Sequence, residues 1–153
     1  MNKTIGYWLE NLSAYLFGIA IFIISYQKWT ELGFSNSKEF LENVVSISAT
    51  LFGFLLATLT LIIQGDSKTI KMMKSHGSFT RLISLNKRTV LASIINCIFS
   101  FSLSLFKESL SKIDISVLKI LESLNVGIFL FVIINTLIFT LIFYRIIISD
   151  EEE

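Results

Sequence analysis

The chain has 153 residues, of which 53% are hydrophobic and 16% charged, with a formal net charge of +1. Its mean hydropathy of +0.71 is too high for a soluble domain of this size, whose surface would need more polar residues. The single cysteine, Cys97, excludes a disulfide framework, and with the single histidine, His76, it cannot make a metal site or a nucleophile–base pair. Nucleotide-binding and zinc-protease spacings do not occur. We therefore predict a membrane protein that is not an enzyme and holds no cofactor.

Four stretches of the chain carry no charged residue, and each is close to the roughly 20 residues that cross a ~30 Å hydrocarbon core as a helix. They hold 17, 23, 18 and 22 residues and cover 11–27, 43–65, 89–106 and 123–144. Backbone groups in lipid must bond one another, and these stretches do not alternate as barrel strands do. The sequence thus predicts one all-α integral membrane domain, 1–153, with four transmembrane helices over about 9–27, 43–65, 89–106 and 123–144.

The charges between these stretches indicate an orientation, because basic residues near the ends of spans tend to stay in the cytoplasm. Placing the connection between the second and third helices inside also places both termini inside, with eight basic residues inside and five outside. We predict a multi-pass protein of the bacterial cytoplasmic (inner) membrane, N-in and C-in. Residues 66–88 are then a cytoplasmic connection that concentrates six cations: Lys68, Lys71, Lys74, Arg81, Lys87 and Arg88.

This connection has the pattern of a short basic helical hairpin around a turn at 75–78, where Gly77 can adopt positive φ. We expect its cations to face a partner or lipid, and its apolar side chains to pack across it: Ile70 and Met73 on Phe79, Leu82 and Ile83. Two roles stay open for the cations. They either set the topology and bind anionic lipid, or they dock a soluble acidic protein. Direct nucleic-acid binding is not expected, because Phe79 is the only aromatic residue of this connection on which bases could stack.

On the outer side, residues 108–122 are amphipathic. Their apolar residues recur at helical spacing between Lys107 and Glu122: Leu110, Ile113, Val117 and Leu121, continued by Leu124. This pattern predicts an outer segment that lies on the membrane surface or packs over the bundle before the fourth span.

Two of the predicted spans carry small residues along one face. The face of the second span holds Ser46, Thr50, Gly53, Ala57 and Thr60, and that of the third holds Ser93, Cys97, Ser100 and Ser104. Such faces let helix backbones approach closely in lipid. These faces serve one of two purposes. They pack helices within one bundle, or they form a subunit interface or a hydroxyl-lined pore in a homo-oligomer. For the homo-oligomer we take a tetramer as the first assumption. Asn96 and Asn135 should each find a hydrogen-bond partner on another helix.

The order of an apolar span "LFGFLLATLTLIIQ", a basic turn "KMMKSHGSFTRLI" and a further apolar span resembles small prokaryotic membrane proteins of anti-phage defence loci. Among these, the four-span membrane subunit of Kiwa-type systems is the most similar in layout. The resemblance covers roughly residues 50–105. It implies a homo-oligomeric inner-membrane protein that works with a soluble, DNA-binding cytoplasmic partner, and it transfers no functional residue.

Two classes of function follow from these observations. In the first, the chain is a membrane platform or sensor that recruits or regulates a soluble effector through the basic hairpin. In the second, it is a holin-like pore former that depolarises the membrane through its Ser- and Thr-rich helices; an immunity protein against a membrane-active toxin is a third interpretation. We favour the platform, because it explains the cluster of cations and a pore does not.

Overall fold

The computed structural model describes residues 3–32, 38–65, 71 and 78–151. The described residues form four long α-helices, so the all-α prediction is confirmed. The helices are α1 (Lys3–Gln27), α2 (Lys38–Gln64), α3 (Ser78–Ile113) and α4 (Ile115–Glu151).

Three of the helices are long and apolar enough to cross a membrane. These are α2, the Phe79–Lys112 part of α3 and the Ile115–Tyr144 part of α4. In α1, the apolar stretch within the residues searched is Leu12–Gln27. The structure is thus that of a helical, membrane-type protein with three such helices.

The helices are longer than the uncharged stretches. An uncharged stretch ends at the first charged residue, but the backbone hydrogen bonds of the helix continue through charged residues. The third uncharged stretch covers 89–106, yet α3 has 36 residues; α4 has 37. The outer segment predicted over 108–122 is not a separate element, since α3 and α4 divide it at Asp114. An Asp114 carboxylate oxygen accepts a hydrogen bond from the Ser116 backbone N–H at 2.7 Å, as a residue that caps a helix start does.

Each helix packs antiparallel to its main neighbour. Tyr15 of α1 contacts Phe131 of α4, and Trp29, in the turn after α1, contacts Glu122 of α4. Residue numbers therefore rise along one helix as they fall along the other. The same order joins α3 to α4 and α2 to α3. The start of α1, the end of α2, the start of α3 and the end of α4 therefore lie at one end of the bundle.

The start of α3 packs against the bundle. Leu82 is buried in one apolar cluster with Leu55 and Ile62 of α2 and Phe139 of α4, and Phe79 packs against it. The second half of the predicted hairpin thus packs beside the apolar parts of α2 and α4, which offer more apolar surface than a short turn does. Ile70 and Met73, the predicted partners of Phe79 and Leu82, lie outside the described residues, as do Lys68, Lys74 and His76.

The helices α1 and α4 approach each other most closely at two glycines. A β-carbon built on Gly127 would lie 2.9 Å from the Gly18 carbonyl oxygen and 3.0 Å from the Phe22 β-carbon. A β-carbon on Gly18 would lie 3.0 Å from the Gly127 carbonyl oxygen. Any side chain at these positions would therefore push the two backbones apart, as at other small-residue helix contacts in membranes.

Gly127→Ala should lower the free energy of unfolding by about 1–3 kcal/mol, because the added methyl group overlaps the Gly18 carbonyl. Unfolding in a titration with sodium dodecyl sulfate, followed by tryptophan fluorescence, measures this. The matched control is Gly53→Ala, since no atom lies within 4 Å of a β-carbon there. Both changes raise helix propensity equally, so equal stability of the two variants would contradict the close contact.

Candidate functional site

A layer of buried polar side chains joins α2 to α3. The Ser93 hydroxyl of α3 donates a hydrogen bond to the Ser48 carbonyl of α2 at 2.7 Å. The Asn96 amide, one turn further along α3, donates to the Ser48 hydroxyl at 3.0 Å. All three residues are fully buried. The prediction that Asn96 finds a partner on another helix is confirmed, and the two bonds fix the register of α2 on α3.

The same layer continues to α4 through Asn125. The Asn125 side-chain amide donates to the Ser100 hydroxyl at 2.6 Å and to the Asn96 side-chain oxygen at 3.5 Å. The Asn125 side-chain oxygen is buried and has no hydrogen-bond partner among the described residues. One turn of α3 thus holds both neighbouring helices through polar side chains, in a region where lipid offers no replacement partner.

A buried ion pair closes the bundle at the end where α3 meets α4. The Glu122 carboxylate accepts a hydrogen bond from the Trp29 indole N–H at 2.8 Å and lies 3.1 Å from the Lys107 ammonium. The Glu122 side chain is 2% exposed and the Lys107 side chain 13%. The pair fastens α1, α3 and α4 together, so sequence reasoning that treated Lys107 and Glu122 as surface charges of an outer segment missed its role.

Near the opposite end, Arg88 points into the bundle. Its guanidinium donates to the Asn135 side-chain oxygen at 2.7 Å and lies over the rings of Tyr15 and Phe131 at 5.5 and 5.9 Å. The prediction that Asn135 finds a partner on another helix is therefore confirmed. The contact joins α1, α3 and α4, and its cation–π component strengthens where water is excluded.

The depth of this contact follows from helix geometry. Thirteen residues separate Glu122 from Asn135 on α4, about 20 Å along the helix. A hydrocarbon core is ~30 Å thick. If Glu122 lies at one boundary of a membrane, the Arg88 guanidinium lies inside the other boundary. Ionisable groups at such positions are rare and usually functional. The sequence alone did not indicate that Arg88 points into the bundle, because Arg88 directly precedes an uncharged stretch and was assigned to the connection before it.

The two small-residue faces have different surroundings. On α3, Ser93 and Ser100 are buried, while Ser104 and Cys97 are half-buried and the Cys97 thiol lies 3.8 Å from the Val45 carbonyl oxygen of α2. On α2, all five predicted residues are exposed: Ser46, Thr50, Gly53, Ala57 and Thr60. The face of α3 thus packs within the chain, whereas the face of α2 is presented to whatever surrounds it. Its role as a subunit interface stays a prediction.

The six cations of the predicted partner- or lipid-facing surface are also divided. Lys71, Arg81 and Lys87 are exposed, Arg88 is half-buried in the contact described above, and Lys68 and Lys74 lie outside the described residues. Among the side chains that the structure describes, no group of three or more His, Cys, Asp or Glu could hold a metal ion.

Glu122→Gln should destabilise the protein by about 3–5 kcal/mol, because it removes the buried carboxylate charge that lies 3.1 Å from the Lys107 ammonium. The glutamine side chain can still accept the Trp29 hydrogen bond, so adding Lys107→Met should restore most of the loss. Detergent unfolding of the two single variants and the double variant measures the coupling. The control is Glu31→Gln in the exposed Lys28–Glu31 pair, which should cost about 1 kcal/mol or less. A double variant no more stable than Glu122→Gln would contradict a buried pair.

Comparison of the chain with protein-family models, curated proteins and solved structures found no match. Function lies in sites and not in folds. The features that bear on function are thus the exposed cations, the Arg88 contact and the exposed face of α2.

Proposed function

We propose that the chain is a non-enzymatic, homo-oligomeric subunit of the bacterial cytoplasmic membrane that recruits or regulates a soluble partner through its basic end. The basic end is defined by Lys71, Arg81 and Lys87, with Lys68 and Lys74 beside them in the sequence. By the resemblance described above, the partner is a DNA-binding component of an anti-phage defence system. The observation that carries the proposal is that three cations of this end are exposed.

The exposed cations support a partner because the bundle does not bury them. Arg88 is the described cation of this end that the fold draws inward, onto Asn135, Tyr15 and Phe131. Arg81 and Lys87 lie within two turns of it, with exposed side chains. A surface of one sign attracts an oppositely charged protein over several ångströms and speeds its association.

The proposed topology has four spans, with α1 as the fourth crossing helix and the basic end inside. The antiparallel order supports it, since it brings the start of α1, the end of α2, the start of α3 and the end of α4 to one end. The excess of cations there favours the cytoplasmic side. The uncharged stretch 11–27 crosses a membrane of ordinary thickness if Trp29 lies at its outer boundary, where tryptophan is enriched.

The double charge reversal Lys71→Glu with Arg81→Glu should release the soluble partner. Purification from the native host after mild cross-linking, with quantitative mass spectrometry, measures the retained soluble protein. We expect a loss of roughly tenfold or more, because two attractions become two repulsions. The wild-type complex should also weaken as salt screens charges beyond ~8–10 Å.

The matched control reverses two exposed cations at the other end, Lys38→Glu and Lys112→Glu, and should retain the partner. A reporter fused after Glu153 verifies that every variant keeps a cytoplasmic C-terminus. If correctly inserted protein with the reversed basic end still retains the partner at the wild-type level, recruitment through this end is wrong.

The exposed face of α2 supports the homo-oligomer. Gly53 has open space where a side chain would stand, in contrast to Gly18 and Gly127. The hydroxyls of Thr50 and Thr60 donate to carbonyls of their own helix, which leaves a smooth surface for a second helix. Small faces of this kind let helices of two subunits approach closely.

The same face carries the second candidate function, a pore. If α2 helices of several subunits surround an axis, the oxygens of Ser46, Thr50 and Thr60 could line it, because their residues are exposed. Ion flux from ion-loaded vesicles that contain the protein distinguishes the two candidate functions. A platform leaves the ion gradient intact, while a pore collapses it.

Gly53→Leu should break the oligomer, because the leucine side chain keeps the α2 backbones apart. Native mass spectrometry in mild detergent should then record monomers in place of the wild-type assembly. Ala20→Leu, on an exposed position of α1, is the control and should leave the assembly intact. A wild-type protein that is monomeric, or an assembly that survives Gly53→Leu, would show that this face is not the interface.

A further inference from the structure

A groove runs along the outer wall of the bundle between α1, α3 and α4. Two adjoining cavities of about 330 and about 430 Å³ form it. Both are lined by Tyr15, Ala92, Ile95 and Phe131, so they are two parts of one depression. Its volume is within the range of sites that hold small molecules.

One part of the groove is apolar. Gly18 and Gly127, where α1 and α4 approach most closely, line it together with Phe22 and Ile128. The glycines let the two helices meet at the floor of this part, and the bulky residues around them make its walls. A hydrocarbon chain fits such a surface.

The other part of the groove is cationic and polar. Ser84, Lys87 and Arg88 line it at the start of α3. The Lys87 side chain is exposed, and within the described part of the chain no hydrogen bond or ion pair is found for it. The groove thus combines positive charge at one end with an apolar channel at the other.

The length of the groove matches half a bilayer. From Ser84 to Ile95 there are eleven residues of α3, about 16 Å along the helix. Half of a ~30 Å hydrocarbon core is about 15 Å. The cationic end lies toward the basic end of the bundle, and the apolar end toward the middle of the helices. An amphiphile of one leaflet has this polarity and this length.

We propose that the groove binds an anionic phospholipid, with the phosphate at Lys87 and Arg88 and an acyl chain against Ala92, Ile95 and Phe131. The positive charge selects an anionic headgroup. The apolar part selects an acyl chain and disfavours free phosphate. Such lipids are concentrated in the cytoplasmic leaflet, which the basic end faces in the proposed topology. The inference rests on that proposed membrane placement and not on a soluble partner.

Native mass spectrometry of delipidated protein in an uncharged detergent tests this. The protein is titrated with phosphatidylglycerol, with phosphatidylcholine of the same acyl chains, and with glycerol phosphate. We expect phosphatidylglycerol to bind most tightly. Lys87→Gln should weaken its binding about fivefold, the equivalent of roughly 1 kcal/mol for one cation near an anionic lipid. Lys112→Gln, an exposed cation at the far end of α3, should leave binding unchanged.

Ala92→Leu fills the shared part of the groove and should weaken phosphatidylglycerol and phosphatidylcholine alike, with detergent unfolding confirming that the variant folds. Four outcomes would overturn the proposal. They are equal affinity for the two lipids, equal affinity of Lys87→Gln and Lys112→Gln, binding of glycerol phosphate as tight as that of the lipid, and loss of an oligomer in Ala92→Leu. The last would assign the groove to a second copy of the chain. Because no soluble partner is present, failure of the platform leaves these measurements unaffected.

Discussion

Hydrogen bonding without water is the constraint on which the rest of this structure depends. Apolar side chains gain little by moving from lipid to protein, since lipid tails are equally apolar. A buried amide, in contrast, must find its partner inside the protein. Asn96 and Asn125 bond to each other and to serines of neighbouring helices, and the Asn86 amide donates to the Leu55 carbonyl of α2 at 3.0 Å. These contacts determine how far each helix slides along the next, while the small residues determine how closely they approach.

This constraint separates the residues that hold the chain together from those that remain available. Ser93 and Ser100 resemble Ser46 and Thr50 in sequence, yet the first two are buried in the polar layer and the second two are exposed. The difference arises because α3 lies between two helices, whereas α2 packs mainly against α3 and only its second half reaches α4. A small residue on an outer helix is therefore a better indication of an assembly than the same residue on an inner helix.

The sequence predicted what depends on local composition and missed what depends on two distant positions. Uncharged length predicted helices, and the cost of a lone amide in lipid predicted partners for Asn96 and Asn135. The Trp29–Glu122 hydrogen bond joins residues 93 positions apart, and no local pattern announces it. The helices extend beyond the uncharged stretches, as at Arg81 and Lys87 of α3, because a helix continues through charged residues as long as one face packs. A glycine flanked by bulky residues, as in "NVGIF", was the available signal for Gly127.

The two ends of the bundle treat charge differently, and this difference locates where the protein can respond to its surroundings. At the end opposite the basic end, Lys107 and Glu122 neutralise each other in a buried pair, which salt screens little. At the basic end, Lys87 is exposed beside Arg88, whose guanidinium touches α1 and α4. An anion bound at Lys87, whether lipid or protein, would therefore lie one residue away from the Arg88 contact, which joins α1, α3 and α4. A change in charge at the basic end therefore acts close to the helix contacts of Arg88, whereas at the opposite end Glu122 is already bonded to Lys107 and Trp29.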